Sequence, residues 1–299
     1  MESKILFLGT GSGNVANQQI RGSGGIIIIS DGYQFLLDPG PGALVRARQI
    51  GVNMQATTAV LVSHAHIHHC NDVNVILQAM SYGGIDPKGI LIANKTFAEG
   101  DENTPPQLLP FHKRCVERTI IPNSGQKIGI EHLEVHALKT IHSDPDALGF
   151  KLFTPGFVLT YTGDTGYTKE IAEQYKHSDI IIINMPYVDK KDPNNMNRSD
   201  VVKLINQIKP RLAILTHFGT KVLKDDPLQI ARDIQIETEV QTIAAKDGLL
   251  ISPGSYAAGL KHKTLNLYPK ETTEVQEHTQ EGSQQEETEW PGNTEQTFL

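Results

Sequence analysis

Residues 63–72 read SHAHIHHCND, a stretch that contains His64, His66, His68 and His69. It follows the apolar run AVLV (59–62), which predicts a buried β-strand. Side chains two residues apart on an extended backbone point to the same face, so His64 and His66 are expected to converge. His69 falls on the next turn and approaches the same cavity from another side. Converging imidazoles of this kind predict a metal site.

Three further side chains stand where apolar runs end. His142 follows LEVHALKTI, Asp164 follows FVLTYTG, and His217 follows LAILT. Functional groups in α/β folds gather at the carboxyl ends of strands, so these residues are predicted to add nitrogen and carboxylate ligands of the kind that zinc or iron takes. A single histidine at a strand end is more often a hydrogen-bonded loop residue, and that role is assigned to His112, His132, His136, His177, His262 and His278.

Short apolar runs bounded by Gly, Pro and Asp alternate with helical patterns along the chain. Strands are predicted at 4–9, 25–30, 33–38, 59–64, 133–138, 149–154, 157–163, 179–184, 212–217 and 248–253. Helices are predicted at 42–50, 72–82, 168–175, 199–208 and 227–234, with Ser199 as an N-cap and Asp72 in a capping role.

Two segments share one plan. Residues 24–49 and 148–174 each read as a strand, a Gly-containing turn, a second strand ending near an Asp (Asp38 or Asp164), a Gly-rich loop and a helix. Two similar β-rich halves with helices outside predict an α/β fold in which two sheets pack face to face between helix layers, a four-layer αββα sandwich.

The acidic net charge is concentrated at the end of the chain. Residues 271–299 carry eight Glu and no Lys or Arg, within a net charge of −7, so the remainder is close to neutral. The segment 265–299 is predicted to be a disordered acidic tail, and 1–264 one folded domain. With two cysteines, no secretion-signal pattern and no apolar run of membrane-spanning length, we expect a cytoplasmic protein without a membrane partner.

The ordered series LGTGSG, LDPGPG, SHAHIHH, HSDPDALGF, TGDTG and THFG resembles the metallo-β-lactamase fold superfamily of metallo-hydrolases over residues 4–253. The resemblance implies that His64, His66 and His142 hold a first metal ion. It implies that His69 and His217 hold a second, that Asp164 bridges the two, and that Asp38 orients a ligand from behind. Zn2+ is the expected metal, with Fe or Mn as alternatives.

One position departs from the family motif H-x-H-x-D-H, because His68 stands where the motif has Asp. His68 is expected to act as a nitrogen ligand and to share the catalytic role with Asp164, or the second metal binds weakly, or the site is catalytically weakened. A neutral imidazole stabilises a dication less than a carboxylate does, so the second ion is expected to be the weaker one. Asp72 is a substitute ligand that we consider secondary to its capping role.

The expected chemistry is hydrolysis by metal-activated water, because a bound ion lowers the pKa of water to about 7 and polarises a carbonyl or phosphoryl oxygen. Asp164 would fix the attacking water and accept its proton. Arg21 and Ser23 are candidate contacts to an anionic substrate, Cys70 is interpreted as a structural thiol, and GTGSG (9–13) as a turn beside the site.

The motif layout is most similar to the ribonuclease Z and phosphodiesterase branch, so the substrate is expected to be a phosphodiester or an ester-like small molecule or nucleic acid. The Glu and the His-Ser-Thr segment that assist proton transfer in that branch are replaced here by Asn184-Met185 and Asn197-Arg198-Ser199. Transfer-RNA processing is therefore the second hypothesis, with residues 81–122 as a candidate lid. A lactonase or β-lactamase-like hydrolase, an iron-dependent thiol oxygenase and a catalytically weakened metal-binding protein stay open.

Two association hypotheses also stay open. The chain could form a homodimer. The tail, with Trp290, Phe298 and Leu299, is interpreted as an incidental solvated segment, with docking to a protein partner as the alternative.

Overall fold

The computed structural model describes residues 3–256. The predicted tail at 265–299 and the last residues of the predicted domain lie outside this range, as do Trp290, His262 and His278. The described strands are β1 (Lys4–Phe7), β2 (Ile26–Ser30), β3 (Tyr33–Leu37), β4 (Thr57–Val62), β5 (Ile90–Ala93), β6 (Arg118–Ile120), β7 (Lys127–Ile130), β8 (Leu133–Lys139), β9 (Leu148–Phe153), β10 (Val158–Tyr161), β11 (Ile180–Asn184), β12 (Leu212–Thr216), β13 (Thr242–Ala244) and β14 (Leu250–Ile251).

The helices of the same range are α1 (Gly13–Asn17), α2 (Ala43–Gln49), α3 (Ile67–Cys70), α4 (Val73–Met80), α5 (Lys95–Glu99), α6 (Pro110–Lys113), α7 (Lys169–Glu173), α8 (Arg198–Ile208), α9 (Thr220–Lys224) and α10 (Pro227–Thr238). Short 3-10 turns lie at Met54–Ala56 and Pro253–Tyr256.

The strands form two seven-stranded sheets, in the orders β14-β1-β2-β3-β4-β5-β6 and β13-β12-β11-β10-β9-β8-β7. In each sheet an antiparallel hairpin is followed by a helix and then by a parallel strand. The hairpin β2–β3 leads through α2 to β4, and the hairpin β9–β10 leads through α7 to β11. The shared plan of the two segments is therefore a repeated hairpin and crossover, one in each sheet.

Three separate hydrophobic cores explain the layering. One core joins the two sheets and contains Phe35, Phe150 and Ile182. A second packs α2 and α4 on the first sheet, and a third packs α7, α8 and α10 on the second sheet. Strands β11 and β12 are buried at every position, as parallel strands covered on both faces require. The predicted αββα sandwich is confirmed.

The ten predicted strands and five predicted helices are all present, and the elements that sequence analysis missed are short. The missed strands β5, β6, β7 and β13 have three or four residues each. The missed helices α1, α3, α5, α6 and α9 have four or five. Runs of this length are too brief to show a period of two or of 3.6.

The prediction of a lid at residues 81–122 is wrong. This segment contributes β5 and β6 to the edge of the first sheet, where β4, β5 and β6 are consecutive parallel neighbours. Leu91 and Phe97 from this segment are fully buried in the core beneath α4. The segment is part of the scaffold, because its apolar side chains are needed to complete that core.

The prediction of Ser199 as the N-cap of α8 is also wrong, because Asn197 caps this helix. The Asn197 side chain accepts a hydrogen bond from the backbone N–H of Asp200, whose carboxylate accepts from the Asn197 N–H in return. This reciprocal pair satisfies two backbone donors at the helix start, whereas Ser199 lies two residues later, inside the first turn of the helix, and is exposed.

Asn197→Ala is expected to lower the free energy of unfolding by about 1 kcal/mol, the usual cost of losing a side-chain cap. Ser199→Ala is the matched control and is expected to change it by less than about 0.5 kcal/mol. Urea denaturation measures both. Equal losses in the two variants would contradict the assignment of the cap.

Candidate metal centre

The candidate site lies where the strands of both sheets end. Asp38 and His64 follow β3 and β4, which are parallel neighbours in the first sheet. Asp164 and His217 follow β10 and β12, which flank β11 in the parallel part of the second sheet. The carboxyl ends of parallel strands meet at one edge of a sheet, so residues far apart in sequence are brought together here.

The described residues form two groups whose ligand atoms all lie within 4.8 Å of one another. One group consists of His64, His66, His142 and Asp164, and the other of His64, His68, His69 and Asp164. In the first group Nδ1 of His66 lies 3.0 Å from Nε2 of His64 and 3.2 Å from Nε2 of His142.

His217 belongs to neither of these groups but adjoins the second. Its Nε2 lies 3.1 Å from Nε2 of His69 and 3.2 Å from Nε2 of His68. Its Nδ1 is buried without a hydrogen-bond partner in the described structure. All seven residues predicted as ligands from the sequence therefore lie together.

Asp164 stands between the two groups of imidazoles. Its Oδ2 lies 3.5 Å from Nε2 of His69, 3.9 Å from Nε2 of His64 and 4.0 Å from Nε2 of His142. Its Oδ1 lies 3.4 Å from Nδ1 of His217. The carboxylate is only 3% exposed, so its charge faces the histidines rather than water.

These spacings fit a metal ion. Ligand atoms held at about 2.0–2.1 Å from zinc lie about 3.3 Å apart at the corners of a tetrahedron. The ring orientations agree, because Nδ1–H of His64 donates to Oγ of Ser63 at 2.9 Å and Nδ1–H of His142 donates to the carbonyl oxygen of Asn194 at 3.0 Å. Bonds of this kind on the outer nitrogen turn the Nε2 lone pairs inward, as in metal-binding histidines.

The electrostatics of the site also suit a cation. Burial holds the pKa of His64 well below its usual range, and burial lowers the pKa of His217 to about 4. Burial also lowers the pKa of His66 and His68, so four rings offer neutral nitrogens near neutral pH.

His69 and Asp164 behave as a charged pair. Burial opposes the charged form of His69, but Asp164 and then Asp38 outweigh it and raise its pKa to about 10. Burial also opposes the ionisation of Asp164, yet His217 and His69 hold its pKa well below its usual range. A metal ion that binds His69 must therefore displace a proton.

Residues 33–218 match the family model described as the beta-lactamase superfamily domain. The chain belongs to the β-lactamase superfamily. It is similar to an uncharacterised protein of Methanocaldococcus jannaschii, at 29% identity over 84% of this chain and 95% of that one. It is 26% identical to ribonuclease Z of Pyrobaculum arsenaticum over 73% of this chain and 87% of that one.

The fold of this chain is also similar to that of solved structures with the metallo-β-lactamase fold. The solved structure of the metallo-β-lactamase fold protein YhfI from Bacillus subtilis matches with a TM-score of 0.69 at 18% identity, over 84% of this chain and 99% of that one. The β-lactamase superfamily fold implies binding of a divalent metal, and the His/Asp cluster is the candidate for it. The prediction of a metallo-hydrolase is confirmed at the level of the superfamily.

His68 is the position at which this member of the β-lactamase superfamily departs from the expected motif. Its ring stacks on that of His217 with centroids 5.3 Å apart. The ring also packs against Gly13, where a Cβ would stand 3.0 Å from Nδ1 of His68. The Gly-rich turn at 9–13 thus makes room for an imidazole larger than the expected carboxylate.

Asp38 gathers four hydrogen bonds behind the site. It accepts from the backbone N–H of Ser63 at 2.7 Å, from Oγ of Ser63 at 2.6 Å, from Nδ1 of His69 at 2.9 Å and from the hydroxyl of Tyr161 at 2.7 Å. Asp38 has φ +44° and His217 has φ +60°, a left-handed conformation that is uncommon outside glycine. Such strain persists where surrounding contacts over-determine it.

Sequence analysis missed three buried residues that support the ligands. Asp144 accepts from the backbone N–H of Ala65 at 2.9 Å and so fixes the link between His64 and His66. Asn184 donates to Oδ1 of Asp164, and Tyr161 donates to Asp38. In the sequence, Tyr161 and Asn184 could have been noticed only by their positions. Tyr161 ends β10, which precedes Asp164, and Asn184 ends the neighbouring strand β11.

Four minor predictions have definite outcomes. Asp72 lies at the N-cap position of α4 but makes no capping bond, since its carboxylate accepts from the N–H of Leu44 at 3.1 Å and from Nδ2 of Asn71 at 2.9 Å instead. Arg21 does not line the cavity over the cluster, and its Nη1 donates to Oγ1 of Thr10 and to the carbonyl oxygen of Ala245 beside the ring of Phe218. Ser23 donates to the carbonyl oxygens of Gly11 and His68. Cys70 is buried and donates to Gln107 at 2.9 Å, consistent with a structural thiol.

A cavity of about 490 Å³ opens over the cluster. His66, His68, His142, Asp164 and His217 form its floor, and its walls include Asn14, Ser143, Tyr187, Thr220 and Lys221. Pockets of about 300–1,000 Å³ are typical of small-molecule sites.

Among the described residues, no helix has both the length and the apolar character needed to span a membrane.

Proposed function

We propose that this protein hydrolyses a phosphodiester or ester-like bond with the aid of two divalent metal ions, Zn2+ being the expected metal. His64, His66 and His142 would hold one ion, and His69, His217 and His68 the other. Asp164 would be shared between the ions. The observation that carries the proposal is the placement of Asp164, whose two oxygens lie within 3.4–4.0 Å of four different imidazoles.

When bound, the metal ions supply Lewis-acid activation of water and of the scissile group. The chain's own residues orient the reactants. The pKa of Asp164 is held well below its usual range by His217 and His69, so Asp164 would be a carboxylate that can bind an ion and accept a hydrogen bond from the attacking water. His68 lines the cavity with a neutral ring and offers a nitrogen where the family motif has an oxygen.

The cavity walls suit a polar, anionic substrate, because the carboxylate of Asp192, which also lines the cavity, is paired with Lys190 at 3.3 Å. Most of the wall side chains are amides or hydroxyls, and Lys221 is the cation on the rim of this cavity. Lys221 is exposed and pairs with Asp189 at 2.7 Å, a contact that a phosphate oxygen can replace at little cost because exposed pairs contribute about 0–1 kcal/mol.

Ribonuclease Z-like processing of RNA is the second candidate, supported by the 26% identity to ribonuclease Z of Pyrobaculum arsenaticum. The replacement of the expected proton-handling residues by Asn184-Met185 and Asn197-Arg198-Ser199 argues against it. RNA binding would show a steep loss of affinity with salt. Turnover of a small phosphodiester together with no cleavage of precursor tRNA would separate the two candidates.

His142→Ala is expected to remove most of the metal at the first site and to abolish hydrolysis of bis(p-nitrophenyl) phosphate, because it deletes one of three nitrogens that hold the ion. His132→Ala is the matched control, since His132 is an exposed histidine in the turn between β7 and β8. Elemental analysis and initial rates measure both variants. Full activity in His142→Ala would refute the assignment.

His68→Asp is expected to raise occupancy of the second site, because a carboxylate stabilises a dication more than a neutral imidazole does. The expected result is tighter binding of the second equivalent of metal in a competition titration with a chromophoric chelator. The first equivalent serves as the internal control and is expected to be unchanged. An identical second binding constant in wild type and variant would show that His68 does not limit that site.

A further inference from the structure

Asn184 lies at the end of β11, between the strand ends that carry Asp164 and His217, and it is 2% exposed. Its side-chain amide has two N–H groups, and both are used. One donates to Oδ1 of Asp164 at 2.7 Å, and the other donates to the hydroxyl oxygen of Tyr161 at 3.1 Å. The amide must be oriented this way, because the reverse orientation would place its oxygen against the carboxylate of Asp164.

Tyr161 continues this connection across the interface between the two sheets. Its hydroxyl accepts from Asn184 and donates to Oδ2 of Asp38 at 2.7 Å. Asp38 also accepts from Nδ1 of His69, whose Nε2 faces Oδ2 of Asp164 at 3.5 Å. Asp164, Asn184, Tyr161, Asp38 and His69 therefore form a closed ring of polar contacts, which we call the carboxylate ring.

The carboxylate ring leaves the two oxygens of Asp164 in different environments. Oδ1 accepts from the amide of Asn184 and also lies 3.4 Å from Nδ1 of His217, whereas Oδ2 faces the nitrogens of His64, His69 and His142. The neutral amide donor holds the carboxylate without adding a charge beside it. All five side chains of the carboxylate ring are buried, so water does not replace these hydrogen bonds.

We propose that Asn184 and Tyr161 are positioning residues of the metal centre, which hold the carboxylate of Asp164 so that its Oδ2 faces imidazoles of both candidate ligand groups, and which couple that orientation to His69 through Asp38. The inference rests on the proposed function, since it assumes that Asp164 and His69 bind metal. It assigns to Asn184 an orienting role at a place where the phosphodiesterase branch was expected to carry a proton-handling Glu.

Two variants interrupt the carboxylate ring, each by deleting a different hydrogen-bonding group. Asn184→Leu keeps the number and branching of the side-chain heavy atoms but has no donor, and Tyr161→Phe removes a single hydroxyl. Tyr175→Phe is the matched control, because Tyr175 is another fully buried tyrosine whose hydroxyl has no hydrogen-bond partner in the described structure. It removes the same atom from a similar environment away from the ring.

The experiment titrates each metal-free protein with Co2+ and records both the binding isotherm and the visible absorption of the bound ion. Asn184→Leu and Tyr161→Phe are expected to weaken binding of Co2+ about 10- to 100-fold, the usual effect of losing an outer hydrogen bond to a ligand. They are also expected to alter the Co2+ spectrum, since the spectrum reports ligand geometry. Tyr175→Phe is expected to match the wild type in both.

The outcomes distinguish failure of the positioning role from failure of the proposed function. If wild type binds Co2+ and both ring variants bind it with the same affinity and spectrum, the positioning role is overturned while the proposed function stands. If wild type itself binds no Co2+, the proposed function fails and the positioning role fails with it. If Asn184→Leu does not fold, Tyr161→Phe alone decides, because a hydroxyl deletion leaves the packing of the ring intact.

Discussion

Asp164→Asn is expected to lose most of its bound metal and to lower kcat/KM for a phosphodiester by about 10³-fold, because metal ions supply several kcal/mol of transition-state stabilisation. The substitution preserves the shape of the side chain and removes only the negative charge. Asp164 is the one carboxylate that belongs to both candidate ligand groups, so its charge would act on both ions. Without it the remaining ligands are neutral imidazoles, which hold a dication less strongly.

Asp31→Asn is the matched control for this variant. Asp31 is exposed in the turn between β2 and β3 with φ +51°, a conformation that Asn adopts as readily as Asp. The control is expected to keep full metal content and activity. Retention of two metal ions per chain in Asp164→Asn would show that Asp164 is not a shared ligand.

Asp38→Asn is expected to lower the free energy of unfolding of the metal-free protein by about 3–5 kcal/mol, because it removes the charged partner of a buried pair. Four donors converge on this carboxylate, and an amide would turn an N–H group toward at least one of them. Asn tolerates the φ of +44° at this position, so backbone strain does not contribute to the loss.

The melting temperature of the metal-free Asp38→Asn protein should fall by roughly 10 °C, at about 2–4 °C per kcal/mol for a domain of this size. Asp72→Asn is the control, because Asp72 is also a buried carboxylate but accepts from two neutral donors, the N–H of Leu44 and the side-chain amide of Asn71, and Asn keeps one of its two acceptor oxygens. A fall of less than about 1 kcal/mol in Asp38→Asn would mean that the four bonds do not anchor the site. Calorimetry on both variants measures the difference.

The repeated hairpin and crossover explains why the fold could be predicted from the sequence. The runs around Asp38 and Asp164 each carry a strand, a turn, a second strand and a helix, and both carboxylates lie between the hairpin and the helix that leads to the parallel strand. Ligands at strand ends are local features of the chain. The sequence therefore placed His64, His66, His69, His142, Asp164 and His217 at strand ends before their distances were known.

The supporting residues could not be predicted because their contacts are not local. Asp38 and Tyr161 are 123 residues apart in the chain, and Ala65 and Asp144 are 79 apart. In the sequence, Asn184 was noted only because it stands where a Glu was expected. Nothing in the run DIIIIN indicates that its amide donates a hydrogen bond to Asp164. The incorrect prediction of a lid at 81–122 has the same origin, because strands as short as β5 and β6 become recognisable only through their pairing.

Metal content per chain, measured by elemental analysis on protein purified without added metal or chelator, tests the central claim most directly. Two equivalents of zinc per chain are expected, with the second lost first on dialysis against a weak chelator because His68 replaces a carboxylate at that site. Stoichiometric iron would favour the oxygenase alternative. Absence of bound metal, both as purified and after incubation with excess Zn2+, would contradict the assignment of the histidine cluster as a metal centre.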